Sequence, residues 1–148
     1  MLGFSVGCAP LAAWLAIRGE FAWPPVLLSG AVMFWVAGFD LIYALQDIEF
    51  DRKASLFSLP AKLGVAPALR ISTLFHGATV ALLTATAMLT NSGWIAYTGI
   101  AVVAMILSWE HRIVKPNDLS RVNVAFFNLN GYVSILLLLT FAGDIFIK

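Results

Sequence analysis

The stretch Gly38-Phe-Asp-Leu-Ile-Tyr-Ala-Leu-Gln-Asp-Ile-Glu-Phe-Asp-Arg-Lys53 puts acidic side chains at and just beyond the end of a strongly apolar segment. Its three aspartates are Asp40, Asp47 and Asp51. An ionised carboxylate in hydrocarbon costs roughly 2.5–3.5 kcal/mol on insertion scales, so intramembrane acids usually face a polar cavity and serve an ion, a proton or a substrate. The stretch therefore predicts a membrane helix with a cation-binding face.

The spacing of these acids refines that prediction. On a continuous α-helix, which turns by about 100° per residue, four side chains share one narrow face: Asp40, Tyr43, Asp47 and Asp51. Glu49 lies on the opposite side. Asp47 and Asp51 are one turn apart, close enough to bind one or two divalent ions between them. Asp40 lies about two turns deeper, roughly 10 Å along the axis, which indicates a different task.

The composition is that of an integral membrane protein. The 148 residues are 61% hydrophobic and 11% charged, with a mean hydropathy of +0.91, whereas a soluble domain carries about 25% charged residues. The net charge is +1 and no basic run occurs, so we expect no nucleic-acid partner. Cys8 is the single cysteine, which excludes a disulfide framework within the chain. For His76 we expect a hydrogen bond to a neighbouring helix rather than a metal.

Five apolar stretches approach the ~20 residues that cross a bilayer, at 2–17, 24–46, 68–90, 93–109 and 124–147. The first is short for a full span. Polar or glycine-containing breaks separate the stretches, and Pro67 lies near the first turn of the third. The pattern predicts an all-α integral membrane helix bundle of about five transmembrane helices, forming a single domain over 1–148 in the lipid bilayer.

The basic residues indicate an orientation. Seven of them flank the second–third and fourth–fifth connections: Arg52, Lys53, Lys62, Arg70, Arg112, Lys115 and Arg121. Two remain for the other side, Arg18 and Lys148. The positive-inside rule therefore predicts that these connections are cytoplasmic. We expect a multi-pass protein of a bacterial inner membrane whose Asp cluster opens to the cytoplasm.

The motif Asp40-x-x-Tyr43-x-x-x-Asp47-x-x-x-Asp51, followed by Arg52-Lys53 and Ser58-Leu-Pro-Ala-Lys-Leu-Gly64, resembles the second Asp-rich motif of UbiA-type membrane prenyltransferases. Residues 35–47 are most similar to the 4-hydroxybenzoate polyprenyltransferase branch, and 110–120 and 125–131 resemble its last cytoplasmic loop and helix. The resemblance covers nearly all of the chain. It implies the carboxy-terminal five helices of a nine-helix fold, with the first Asp-rich motif on a missing amino-terminal half. A true fragment and a misassigned start both remain open.

The resemblance implies transfer of a polyprenyl group from a prenyl diphosphate to the ring of 4-hydroxybenzoate or a related aromatic acid, in quinone biosynthesis by way of either ubiquinone or menaquinone. It implies Mg²⁺ as the cofactor, and Asp47 and Asp51 suit that ion because one or two carboxylates usually hold it together with substrate phosphates. Asp40 becomes the candidate for orienting or deprotonating the acceptor hydroxyl. Tyr43 is the candidate for stabilising an allylic cation with its ring, or for hydrogen bonding an acid. We expect the fragment alone to be inactive.

Polar residues outside the motif complete the predicted site. Four are candidates for binding the diphosphate: Arg52, Lys53, Ser58 and Lys62. The resemblance makes the loop with Ser58 and Lys62 a partly helical cap near the mouth of the site. On the last helix, Asn123 and Asn130 fall roughly on one face, where they either line the cavity or join helices.

Other functions remain open at this point. The acceptor is alternatively a naphthoate-type precursor of menaquinone. A cation or proton transporter would use Asp40 and Asp47 as a relay, but it predicts deep acids on several helices. A non-catalytic membrane subunit is the third alternative. Prenyl chain length and oligomeric state are not readable from the sequence.

Overall fold

A computed structural model of the chain describes residues 2–147. Within that range the chain is helical and contains no β-strand, which confirms the predicted all-α class. The helices are α1 (Leu2–Gly7), α2 (Ala9–Arg18), α3 (Trp23–Tyr43), α4 (Ile48–Lys53), α5 (Leu59–Leu63), α6 (Val65–Leu89), α7 (Trp94–Ile113) and α8 (Asn130–Ile147). A 3-10 helix, Ala44–Asp47, joins α3 to α4, and a π-helix, Val124–Leu129, leads into α8.

Three helical stretches of the described range are long and apolar enough to cross a membrane, Trp23–Lys53, Val65–Leu89 and Val124–Ile147. They correspond to the second, third and fifth predicted spans. The fourth is α7, which has 20 residues and is not among the three. The first is the shorter apolar stretch Gly3–Arg18, interrupted at Cys8 because Pro10 has no N–H to continue the helical bonding.

The long helices pack in pairs, α3 against α6 and α7 against α8. Hydroxyl groups on the buried face of α6 tie it to the backbone of α3: Ser72 Oγ donates to the Gly38 carbonyl (2.7 Å), and Thr79 Oγ1 donates to the Ala31 carbonyl (3.3 Å). Such bonds and small residues allow membrane helices to approach closely. The α3–α6 contact therefore fixes the helix that leads into the Asp-rich stretch.

The end of α8 closes onto the start of α7. Asp144 is 6% exposed, and its carboxylate accepts hydrogen bonds from the backbone N–H groups of Gly93 (2.7 Å) and Ala96 (3.4 Å). The first N–H groups of a helix have no partner within the helix, and a carboxylate there also interacts favourably with the helix dipole. Asp144 thus caps α7 from a neighbouring helix and joins the two.

Replacement of Asp144 by Ala should lower the free energy of unfolding by about 1–2 kcal/mol, the usual cost of a lost cap, because the N–H groups of Gly93 and Ala96 lose their acceptor. Thermal melting in detergent measures the effect. Ser134→Ala is the control on the same helix, since its hydroxyl donates back to the carbonyl of Asn130 one turn earlier. Equal melting temperatures for Asp144→Ala and the control would contradict the capping role.

Candidate functional site

The Asp-rich stretch includes the point at which the helix changes from α-helical to 3-10 winding. Ile42, Leu45 and Ile48 are all buried, at a spacing of three residues. A 3-10 helix has three residues per turn and aligns such positions, whereas an α-helix rotates them apart. Packing of these three side chains explains why the chain leaves the α-helical conformation after Tyr43.

This change corrects the expectation of a single narrow acidic face. Each 3-10 residue adds about 20° to the α-helical rotation, so Ala44–Asp47 turns Asp47 by about 80° from its predicted direction. On this count Asp47 lies about 60° around the axis from Asp40, against about 20° in the prediction, so the acidic face is broader than the sequence predicts. Asp47 and Asp51 keep their one-turn spacing, because Asp47 directly precedes α4 and Asp51 lies within it.

Asp40 is half-buried and lines a cavity of about 540 Å³ between α1, α3, α6 and the segment before α5. Most of the wall is apolar, with Phe34, Leu41 and Phe75 among its side chains. Ser58 contributes a hydroxyl to the same wall. The cavity thus combines one acid with a mainly hydrophobic lining, which suits an apolar molecule with a single polar group.

A second cleft, of about 340 Å³, adjoins this cavity. It brings together four of the predicted site residues: Asp51, Arg52, Ser58 and Lys62. Ser58 lines both spaces, so the cleft and the Asp40 cavity are neighbours. Lys53 is exposed on α4 and is not among the residues that line the cleft. An acid, two cations and a hydroxyl in one cleft suit a polyanion held partly through a metal ion.

Local bonds hold this cleft in shape. Arg52 Nε donates to the carbonyl of Ala61 (3.0 Å), which joins α4 to α5. Ser58 caps α5, because its hydroxyl accepts from the N–H of Ala61 (3.3 Å). The Lys62 ammonium lies 5.5 Å from the centre of the Phe57 ring, within the range of a cation–π contact.

The donor set fits Mg²⁺ only together with a phosphate. Among the residues described, no group of three or more His, Cys, Asp or Glu side chains is arranged to hold a metal ion. Asp47 and Asp51 supply two carboxylates on adjacent turns, and Mg²⁺ is commonly bound by one or two carboxylates plus substrate oxygens. Asp51 lines the cleft and Asp47 lies one turn before Asp51, so these two residues are the metal candidates.

Tyr43 lies in a different environment from Asp40. Its ring is stacked against Phe126, with centroids 4.2 Å apart and an angle of 34°, and meets Phe127 edge-on at 6.4 Å. The π-helix presents these two phenylalanines in succession, and π-turns are often found at functional sites. Tyr43 thus forms an aromatic wall beside the Asp-rich stretch and is not among the residues that line the Asp40 cavity.

The two asparagines of the last span separate. Asn130 is buried, accepts a hydrogen bond from Trp35 Nε1 (2.8 Å) and donates to the carbonyls of Ala125 and Phe126. Its amide therefore joins α8 to α3, the helix-joining alternative. Asn123 is exposed, and its side-chain oxygen accepts a hydrogen bond from Nε2 of Gln46 (3.1 Å), the residue that precedes Asp47.

A buried polar cluster between α6 and α7 is absent from the sequence predictions. His76 Nδ1 lies 2.9 Å from His111 Nε2, which confirms the expected hydrogen bond to a neighbouring helix, and 3.6 Å from Glu110 Oε2. Glu110 is fully buried. It continues the helical spacing of the buried α7 residues Val103 and Leu107, and an acid in phase with an apolar face is the signal that identifies it.

Comparison with known proteins gives a consistent result. Residues 1–132 match the UbiA prenyltransferase family. A solved structure, the apo form of a UbiA homolog from Aeropyrum pernix K1, matches with a TM-score of 0.79 and 33% identity, over 97% of this chain and 54% of that one.

Two curated relatives are similar in sequence. A 4-hydroxybenzoate octaprenyltransferase of Nitrosospira multiformis is 30% identical over 129 residues, 87% of this chain and 43% of the relative. A 4-hydroxybenzoate solanesyltransferase of Synechocystis sp. is 33% identical over 84 residues, 51% of this chain and 29% of the relative. The chain therefore spans less than half the length of these relatives.

Proposed function

The chain belongs to the UbiA prenyltransferase family, and from this premise we propose that it forms part of a site that transfers a polyprenyl group from a prenyl diphosphate to an aromatic acid. One observation carries the proposal: a cleft with Asp51, Arg52 and Lys62 adjoins the mainly apolar cavity of Asp40. The cleft suits the charged diphosphate, and the cavity suits an apolar group beside the reacting carbon.

In the proposed reaction, the bond between the allylic carbon and the diphosphate oxygen breaks, and the diphosphate leaves with the electron pair. A carbon–carbon bond forms at the ring position ortho to the acceptor hydroxyl, and that ring carbon then gives its proton to the released diphosphate. Asp40 orients the acceptor hydroxyl, or takes its proton and returns it after the new bond has formed, which makes the ring more nucleophilic during the attack. Phe34 and Phe75, which line the Asp40 cavity, offer ring faces that stabilise a cationic carbon, whereas Tyr43 is stacked on Phe126 outside that lining.

The diphosphate end is held by charge. Arg52 and Lys62 donate to its oxygens, and Ser58 adds a hydroxyl where the two cavities meet. Asp47 and Asp51 would hold Mg²⁺ there. Bound Mg²⁺ supplies positive charge that stabilises the departing diphosphate. Lys53, exposed on α4, contributes a longer-range attraction that weakens with salt.

The acceptor and the setting are part of the proposal. Relatives named as 4-hydroxybenzoate prenyltransferases support a hydroxybenzoate acceptor and the ubiquinone route, and a naphthoate precursor of menaquinone is the alternative. We place the protein in a bacterial inner membrane, with the Asp-rich stretch on the cytoplasmic side, as the basic residues of the flanking connections indicate.

We also propose that the chain needs a second acid-rich segment for activity. One or two carboxylates plus phosphate oxygens usually hold each Mg²⁺ ion, so a diphosphate bound with more than one ion would need carboxylates beyond Asp47 and Asp51, and the described residues contain no group of three or more candidate ligands. The chain alone should therefore bind a prenyl diphosphate weakly and transfer little.

The test is a transfer assay in detergent with Mg²⁺, farnesyl diphosphate and either 4-hydroxybenzoate or 1,4-dihydroxy-2-naphthoate. The chain is assayed alone and co-expressed with the part of the Nitrosospira multiformis relative that it does not match. We expect prenylated hydroxybenzoate from the co-expressed sample, in at least about tenfold excess over the naphthoate product. Product from the naphthoate alone supports the menaquinone alternative, and product from the isolated chain refutes the need for a second segment. No product from either acceptor refutes the proposed function.

A further inference from the structure

The α3–α6 contact is closest at Gly38. A methyl group placed on Gly38 would overlap the Cδ2 and Nε2 atoms of the His76 ring, so the ring occupies the space that a side chain at position 38 would take. Both residues are buried, with His76 only 3% exposed. One turn earlier on α6, Ser72 donates to the Gly38 carbonyl at 2.7 Å. The backbone of α3 is thus held at this residue by two contacts from α6.

The His76 ring is supported from its other side by α7. His111 Nε2 lies 2.9 Å from Nδ1 of His76, and Glu110 Oε2 lies 3.6 Å from the same nitrogen. Both carboxylate oxygens of Glu110 lack a hydrogen-bond partner within the part of the chain that the structure describes. Buried polar groups are costly unless they interact with one another. Their concentration at this point indicates a function beyond filling space.

Gly38 precedes Asp40 by two residues, which corresponds to about 200° around α3. The two residues therefore lie on opposite sides of the helix: one side meets His76, and the other lines the 540 Å³ cavity. A displacement of the His76 ring toward α3 would therefore push the helix toward the cavity and narrow it at Asp40. The proposed reaction uses neither His76 nor Glu110, so this cluster is free to act as a support.

We propose that His76, held by Glu110 and His111, is a positioning residue. Its ring packs against Gly38, a contact called the seat below, and this contact determines how deep in the cavity Asp40 lies. The inference rests on the proposed function for the role of Asp40, and on geometry alone for the seat at Gly38. Asp47 ends the 3-10 helix and Asp51 follows it on α4, so the cluster affects the acceptor side of the site more than the diphosphate side.

Three variants test the seat: Gly38→Ala, His76→Ala and the double variant. Gly77→Ala is the matched control, since it makes the same change on a membrane helix, beside His76, where a methyl group meets nothing within 4 Å. The first readout is the rate at which maleimide alkylates an Asp40→Cys substitution in a Cys8→Ser background. This readout does not depend on catalysis.

Gly38→Ala should slow alkylation at position 40 about fivefold when His76 is present, and less than about twofold in the His76→Ala background, because the overlap is then gone. Gly77→Ala should leave the rate unchanged. Equal effects of Gly38→Ala in both backgrounds, or an equal effect of Gly77→Ala, would overturn the seat. If Gly38→Ala alone fails to fold, recovery of folding in the double variant supports the seat, and failure of both contradicts it.

The second readout is the transfer assay with the co-expressed sample and Asp40 intact. Gly38→Ala should lower kcat and raise KM for the aromatic acid while KM for farnesyl diphosphate stays constant, and the double variant should recover both. A loss of folded protein alone would lower kcat and leave both KM values unchanged, which would refute the positioning role. If the unaltered protein transfers no prenyl group, the proposed function fails, and the alkylation rates still decide the seat.

Discussion

Replacing Asp51 by Asn should weaken Mg²⁺-dependent binding of farnesyl diphosphate by at least about 100-fold, since loss of a metal ligand exceeds the 10–100-fold effect of removing a residue behind one. Asp51 is half-buried and shares its cleft with Arg52 and Lys62. Without the Asp51 carboxylate, Arg52 and Lys62 hold the diphosphate directly, so diphosphate binding should lose its dependence on Mg²⁺. Titration calorimetry of the co-expressed sample, with and without Mg²⁺, measures both changes.

The control for this prediction is Glu49→Gln, which removes the same charge from the same short helix. Glu49 is exposed and lies two residues from Asp51, hence on another side of α4. It should leave the affinity within about twofold. Asp47→Asn should resemble Asp51→Asn if both carboxylates hold the ion. Equal affinities for Asp51→Asn and the unaltered protein would remove Asp51 from the site, and an equal loss with Glu49→Gln would show an effect of net charge.

Asp40→Asn should lower kcat for prenyl transfer about 10²–10⁴-fold, the usual contribution of a positioned acid or base, and leave the affinity for farnesyl diphosphate unchanged. The amide preserves the shape of the side chain in the cavity but cannot take a proton. The transfer assay of the co-expressed sample gives kcat, and calorimetry gives the affinity.

Ser58→Ala is the comparison within the same cavity. Ser58 lines both spaces and caps α5, so its loss should affect diphosphate binding and the cap more than the proton transfer. If Asp40→Asn retains full kcat, Asp40 has no role in the chemistry. If it instead weakens diphosphate binding as strongly as Asp51→Asn, Asp40 belongs with the metal ligands. The assignment of Asp40 to the acceptor and of Asp51 to the metal ion would then be wrong.

Much of the architecture follows from hydropathy and helical spacing alone. The all-α membrane class, the start of the third span near Pro67, and the membership in the prenyltransferase family agree with the sequence predictions. Asp51, Arg52, Ser58 and Lys62 were predicted to act at one end of the site, and they line one cleft. Their roles there remain proposals. These features are local in sequence, so periodicity and adjacency are sufficient to predict them.

The departures have non-local causes. A helical wheel assumes a constant winding, whereas packing of Ile42, Leu45 and Ile48 into the core selects a 3-10 helix. Tyr43 turns toward Phe126 because a π-helix more than 80 residues away places that ring beside it. Lys53 follows Arg52 directly and still does not line the cleft. Contacts between distant helices decide these directions, and sequence spacing contains no information about them.

We propose above all that this chain provides the part of a prenyl transfer site that binds the diphosphate and places Asp40 beside the acceptor hydroxyl. The most direct test is the rate of prenylated 4-hydroxybenzoate formation by the co-expressed sample, with farnesyl diphosphate and Mg²⁺, for the unaltered chain and for a chain carrying both Asp47→Asn and Asp51→Asn. We predict product with the unaltered chain and, with the double variant, a rate at least about 10³-fold lower, while Glu49→Gln retains activity. Equal rates with and without Asp47 and Asp51 would contradict the account.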